Sequence, residues 1–257
     1  MPSLPRKRSK QSLAAFGGAG AGSSSEPATP TWSLPASLAD ASRPLPKLIV
    51  FDLDYTLWPF WVDTHVAPPL KPNAQHSAAT DKFGEDYAFY GDVPSILLAL
   101  AGMLPGAPLP SGPVKMAVAS RTHAPGLAKD LLKMLHLRPG GGGGGVDGAG
   151  GVAGDGDNNS SSSGVGGGGN VKPRRALDVF DAGLEIYPSS KIRHFEALHK
   201  RTGIRYEDML FFDDESRNQE TERLGVTMRL VRDGVTWDEI EQGVEEWRRR
   251  RGYAVKK

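Results

Sequence analysis

Leu48-Ile49-Val50-Phe51-Asp52-Leu53-Asp54-Tyr55-Thr56 is the stretch on which the fold turns. Four apolar, partly β-branched residues followed by two acids have the form of a strand buried on both faces, with a polar C-terminal end. The form recurs. Val114 to Ala119 runs into Ser120-Arg121-Thr122, and Met209-Leu210-Phe211-Phe212 runs into Asp213-Asp214. Further strands are predicted within Phe180 to Tyr187 and over Val226 to Val231. Between them lie helical patterns: Val93 to Met103 with Asp92 as N-cap, Pro125 to Leu137 with Leu127, Leu131, Leu132 and Leu135 on one face, and Ser190 to Arg201 with Gly203 as C-cap. Glu215 to Leu224, stopped by Gly225, and Trp237 to Arg250 complete the series. Strands alternating with helices imply an α/β, Rossmann-like fold: a parallel central sheet with helices on both faces.

Composition sets the limits of that domain. The chain has 257 residues with 32 Gly and 20 Pro, about a fifth of its length against roughly 12 % in average usage. The excess is local, since Gly140 to Gly169 alone holds 16 of the glycines. Residues 139–173 therefore read as a disordered Gly/Ser-rich insertion. Residues 1–46 are basic and rich in Ser, Ala, Pro and Gly, and they read as a disordered tail. A transit peptide and a basic nuclear or nucleic-acid address at Arg6-Lys7-Arg8-Ser9-Lys10 are its alternatives. The domain proper is then 47–253, and the expected location is cytoplasmic, or plastid or another organelle if the tail is a leader.

With 31 Lys plus Arg against 30 Asp plus Glu, the net charge of +1 offers no field for nucleic acid or an anionic membrane. No apolar run reaches the ~18 residues of a membrane span. The absence of cysteine removes disulfides, thiolate metal sites and cysteine nucleophiles, leaving oxygen and nitrogen chemistry.

In parallel sheets, ligands bind at the carboxyl ends of the strands, which is where the polar clusters fall. Asp52 and Asp54 stand two positions apart and can project to one side of an extended backbone. Two such carboxylates repel unless a cation lies between them, and Asp213-Asp214 can supply another ligand. An all-oxygen, carboxylate-rich site suits Mg²⁺. Ser120 and Arg121 at a strand-to-helix turn, with Lys191 at a helix start, are phosphate-binding groups. An Asp can attack the phosphorus once that charge is neutralised, while a second acid protonates the leaving alcohol.

These residues resemble the four motifs of the haloacid dehalogenase (HAD) superfamily: Phe51 to Trp58, Ser120, Lys191 and Asp213-Asp214. The resemblance is closer to its eukaryotic magnesium-dependent phosphatase family, through Asp52 to Val66, Ala119 to Thr122, Ile186-Tyr187-Pro188 with Lys191, and Phe211 to Glu215 with Arg217-Asn218. It implies Asp52 as nucleophile and Mg²⁺ ligand. Asp54 becomes the acid/base with its carbonyl on the metal, and Asp214, or else Asp213, the remaining ligand. It further implies that Ser120, Arg121, Lys191 and the Leu53 and Asp54 amides hold the phosphoryl group. The expected activity is Mg²⁺-dependent hydrolysis of phosphomonoesters through an aspartyl-phosphate, on phosphotyrosine or on phosphorylated sugar-amine adducts such as fructosamine 6-phosphate. The substrate is a phosphorylated small molecule or protein side chain, and a monomer is expected.

Between Thr56 and Ser120 there is room for a flap carrying Trp58, Phe60 and Trp61 but not for a cap domain, and the Gly/Ser tract cannot bury a core. The site is therefore expected to be essentially capless. Three plainer readings stand beside these. Trp58, Phe60 and Trp61 can serve as flap packing, Asn218 as support for the Asp214 region, and Arg248 to Arg251 as a solvated helix end. His65, His123 and His194 lack metal-ligand spacing. A catalytically silent binding protein on the same sheet, and metal-free dehalogenase chemistry, are the competing functions, and metal dependence separates them from the phosphatase.

Overall fold

A computed structural model describes residues 33–138 and 173–253. Most of the N-terminal tail and the Gly/Ser tract, with the leader and disorder readings attached to them, lie outside the described residues. In chain order the elements are α1 (Ala36–Ala39), β1 (Leu48–Phe51), α2 (Val62–His65), β2 (Lys71–Pro72), β3 (Ala78–Thr80), β4 (Asp86–Ala88), α3 (Val93–Leu100), β5 (Lys115–Ser120) and α4 (Pro125–Met134). They continue with β6 (His136–Leu137), β7 (Arg174–Arg175), β8 (Gly183–Ile186), α5 (Lys191–Thr202), β9 (Met209–Asp213), β10 (Thr227–Leu230) and α6 (Trp237–Arg250).

β1 is central in a five-stranded parallel sheet of order β10-β9-β1-β5-β8. The chain leaves β1 toward β5 and β8 on one side and returns to β9 and β10 on the other, so the topological switch falls beside β1. Alternation along the strands divides the core. Ile49, Phe51, Val118, Leu210 and Phe212 pack with α3, α4 and α6. Leu48, Val50, Ala117, Ala119 and Phe211 pack against Phe195 and Leu198 of α5. Every residue of β1 is buried, which is why that run carries no polar alternation. No described helix is long and apolar enough to cross a membrane.

Several boundaries differ from the sequence reading. α3 stops at Leu100 because the chain turns at Gly102, whose φ of +68° suits glycine. Asp92 makes no side-chain cap bond to α3; its carboxylate accepts instead from the amide of Trp237 at 3.3 Å, the first residue of α6, alongside the Thr236 cap of that helix. α4 ends at Met134, and His136-Leu137 leaves it to pair with Arg174-Arg175. Ser216–Leu224 is a 3₁₀ helix rather than an α-helix. Its period of three sets the buried Asn218 and Thr221 one above the other on the inner face. The segment between Thr56 and Ser120 contains α2 and a three-stranded antiparallel sheet, β2-β3-β4, the expected small flap.

Two expectations at the chain's edges are corrected. The folded part begins before Lys47, because α1 inserts Leu38 into the core. Arg248 is no solvated helix end: it is fully buried, and its guanidinium donates to the carbonyls of Ser37 (2.7 Å), Arg43 (3.2 Å) and Pro44 (3.0 Å) and to Glu245 (2.8 Å). Arg43 pairs in turn with Glu245 at 2.9 Å. Residues 36–46 are thus a strap clamped onto α6.

Arg248→Met should lower stability by about 3 kcal/mol, since it strands buried carbonyls and a carboxylate; an unchanged urea midpoint would show that the clamp is dispensable. β6 and β7 already form an antiparallel pair at the far end of α4 from Ser120. Replacing residues 138–173 with Asn-Gly should therefore leave the strand ends expected to carry the chemistry undisturbed, with turnover unchanged, and raise stability by no more than about 2 kcal/mol, as thermal unfolding and a turnover assay would read.

Candidate active site

The strand registers bring the polar clusters together. Phe51 is level with Phe212 and with Val118, so Asp52 and Asp213 emerge side by side at the carboxyl edge, and Ser120 follows one residue beyond Asp52's level on β5. The Asp52 amide prolongs the ladder by donating to the Phe212 carbonyl at 3.0 Å.

Lys191 is the first residue of α5, whose N-terminus is capped by Ser190. Its side chain is fully buried, with Nζ 2.9 Å from Asp52 Oδ1, 2.9 Å from Asp213 Oδ2 and 2.5 Å from the Ala119 carbonyl. Burial works against the ammonium, but the Asp52 and Asp213 charges outweigh it and hold the lysine above its ordinary pKa. This revises the sequence reading. Lys191 does not line the cup where a phosphoryl group would sit; its charge is engaged by two carboxylates and a carbonyl.

Asp213 is equally committed. Its Oδ1 accepts from the Glu215 amide at 2.8 Å, and Asn218 Nδ2 lies 2.9 Å from both of its oxygens. Asn218 therefore supports Asp213, not Asp214, and its own Oδ1 accepts from Arg121 at 3.4 Å. Asp214 is half-buried, lines the cup, and accepts no side-chain hydrogen bond among the described residues. One oxygen from each of Asp52, Asp213 and Asp214 falls within a 4.8 Å cluster.

Burial raises Asp52 to about 8, with the Asp213 charge adding to the rise and Lys191 opposing it. Asp214 stands at about 6 through burial and the neighbouring Asp213 and Glu215. Carboxylates held so close and so dry need more positive charge than one lysine supplies. A hard divalent cation with oxygen ligands, as Mg²⁺ is, fits this donor set. Asp52 and Asp214 would hold it, and Asp213, already saturated, would position them.

Asp54 is pushed up to about 6 by burial, against bonds from Trp58 and Val62. Its Oδ1 accepts from Trp58 Nε1 at 2.7 Å and from the Val62 amide at 3.2 Å, leaving Oδ2 toward the cup it lines. Trp58 is a fully buried ring stacked with Phe60 and Phe89. The flap aromatics thus do more than pack, because one of them orients this acid. The residue after Asp54, Tyr55, is held at a φ of +52°.

Ser120, at 1 % exposure, and Arg121 both line the cup. The Leu53 and Asp54 amides bond no backbone acceptor among the described residues. The cup has a volume of about 430 Å³. Its rim includes Trp61, Asp63, His123, Ser189 and Arg217, which the strand-end motifs did not single out as a lining set. Asp63 accepts from the His123 amide at 3.2 Å and so ties α2 to the loop after β5. Of these, the half-exposed Trp61 carried a sequence signal as an aromatic in the flap, and Arg217 carried one through the family resemblance.

The acid phosphatase family model matches residues 44–250. An HAD-like hydrolase superfamily protein of Schizosaccharomyces pombe is 39 % identical over 183 residues, covering 71 % of this chain and 83 % of its own. Magnesium-dependent phosphatase 1 of Homo sapiens is 36 % identical over 203 residues, covering 78 % and 86 %. A putative magnesium-dependent phosphatase of Saccharomyces cerevisiae is 30 % identical over 204 residues, covering 75 % and 92 %. With its strand-end acids, its buried lysine and matches of this extent, the chain belongs to the acid phosphatase family, among the magnesium-dependent phosphatases of the HAD superfamily.

Proposed function

We propose that this chain hydrolyses phosphomonoesters in a Mg²⁺-dependent reaction with Asp52 as nucleophile. The observation that carries the reading is the unequal use of the oxygens in two neighbouring acids. Asp52 Oδ1 is held by Lys191, and Asp54 Oδ1 by Trp58 and Val62, so one oxygen of each is left for chemistry. Bound between Asp52 and Asp214, Mg²⁺ would supply charge neutralisation for the phosphoryl oxygens.

The remaining steps follow from the chain's own groups. Asp52 Oδ2 attacks phosphorus and the ester P–O bond breaks, while Asp54 gives its proton to the leaving alkoxide. A carboxyl group that titrates near 6 can carry that proton near neutral pH and accept one afterwards. Asp54 then takes a proton from water. The hydroxide displaces Asp52 from phosphorus, releasing phosphate and restoring both acids. Ser120, Arg121 and the Leu53 and Asp54 amides would bind the non-reacting oxygens, where preorganised donors lower the barrier. Lys191 acts as a positioning residue that opposes the rise in the Asp52 pKa and orients its carboxylate. The substrates proposed for the open cup are a phosphotyrosine side chain or a phosphorylated sugar-amine adduct such as fructosamine 6-phosphate.

With p-nitrophenyl phosphate as probe, turnover should require Mg²⁺, cease on chelation and return when the metal is restored. Asp52→Asn should reduce kcat by at least about 10³-fold. A metal-independent wild-type rate, or an active Asp52→Asn protein, would overturn the mechanism. Lys191→Met should lower both kcat and stability, the latter by about 3–5 kcal/mol, because two buried carboxylates lose their shared counter-ion. Full stability on urea denaturation would show that the ion triad is not needed for the fold.

A further inference from the structure

We infer that the exposed face of α5 is a docking groove for an acidic polypeptide segment flanking the phosphorylated side chain in the cup. The inference rests on the phosphatase reading and narrows its substrate to a phosphorylated polypeptide. A second depression, of about 640 Å³, adjoins the cup and is lined by Tyr187, Pro188, Ser189, Arg193, Glu196, Ala197 and Lys200. Pro188 and Ser189 line both hollows, so a chain with its phosphorylated residue in the cup passes over them directly into the groove.

The groove is built by helical periodicity. Residues 193, 196, 197 and 200 form one stripe of α5, opposite the face that buries His194, Phe195 and Leu198. Ala197 provides a shallow floor. Arg193 and Lys200 stand at its two ends, exposed, and enter no ion pair among the described residues. Arg201, one residue on, is by contrast tied to Glu185, so the unpaired state is not general on this helix. Glu196 lies between the two cations and disfavours a uniformly anionic ligand. Arg193 and Lys200 are seven residues apart, about 10 Å at the rise of an α-helix. An extended chain covers that distance in about three residues. The matching ligand carries two acids about four positions apart, since an extended chain alternates its side chains and only even spacings put both on the groove side, with a neutral or basic residue midway between them. A sugar phosphate confined to the cup has no group to place there.

The test uses fluorescence anisotropy with Asp52→Asn protein, which cannot turn the ligand over, and labelled phosphotyrosine peptides carrying two aspartates about four positions apart, placed together either before or after the phosphotyrosine. In one of the two placements the aspartate peptide should bind about tenfold more tightly than its asparagine counterpart at low ionic strength, and the difference should collapse at about 0.5 M salt. Adding Arg193→Gln and Lys200→Gln should abolish the difference. Equal binding of aspartate and asparagine peptides in both placements, or a difference that survives the double substitution, would overturn the proposal. Turnover of p-nitrophenyl phosphate by protein carrying only Arg193→Gln and Lys200→Gln should equal that of the wild type; its loss would place these residues in the cup and overturn the groove. Failure of the wild type to turn over that probe with Mg²⁺ would count against the phosphatase reading alone.

Discussion

The site depends on one ammonium group shared by two carboxylates in a space closed to water. Lys191 Nζ lies 2.9 Å from both Asp52 and Asp213, and neither it nor Asp213 has any exposed surface. At such distances charges interact strongly because solvent cannot screen them, and desolvation is costly unless every partner is in place. The surroundings supply those partners. Asn218 and the Glu215 amide saturate Asp213, the Ala119 carbonyl takes a further lysine proton, and Arg121 reaches Asn218. The strand order puts β1 between β9 and β5, so any shift of register would separate these groups.

Around that triad the acids divide by environment rather than by type. Asp213 is closed in on all sides and can only hold others in place. Asp214, its neighbour, faces the cup with its carboxylate uncommitted, which makes it the more suitable cation ligand. Asp54 is restrained through one oxygen by Trp58, itself fixed by stacking with Phe60 and Phe89. The small flap therefore reaches the chemistry through an indole N–H. The strap clamped by Arg248 lies largely upstream of the family match, whose first residue is 44. It fastens the chain ahead of β1 to the last helix.

Most of the architecture was legible in the chain because its signals are local. An apolar run ending in acids, repeated and separated by helical periodicity, leaves few arrangements other than a parallel sheet with polar strand ends. Asp52, Asp54, Ser120, Asp213 and Asp214 were marked out by position at those ends. Lys191 was legible as a participant but not as a buried one, since a lysine at a helix start is usually solvated. The N-terminal edge was misread for a similar reason: a single Leu38 in a Ser/Pro-rich segment shows no periodicity, and a terminal arginine run ordinarily faces water.

The sequence by itself determined the fold class, the order of its strands and helices and the inventory of acids, because these rest on hydrophobic spacing and on residue type. Tertiary structure alone decided which oxygen of Asp52 and of Asp54 is left for chemistry and which of Asp213 and Asp214 is saturated. It also decided that Asp92 binds the first amide of α6, and that Arg193 and Lys200 border a groove continuous with the cup. These are facts about neighbours brought together by the sheet from distant parts of the chain, and no local pattern encodes the distance between them.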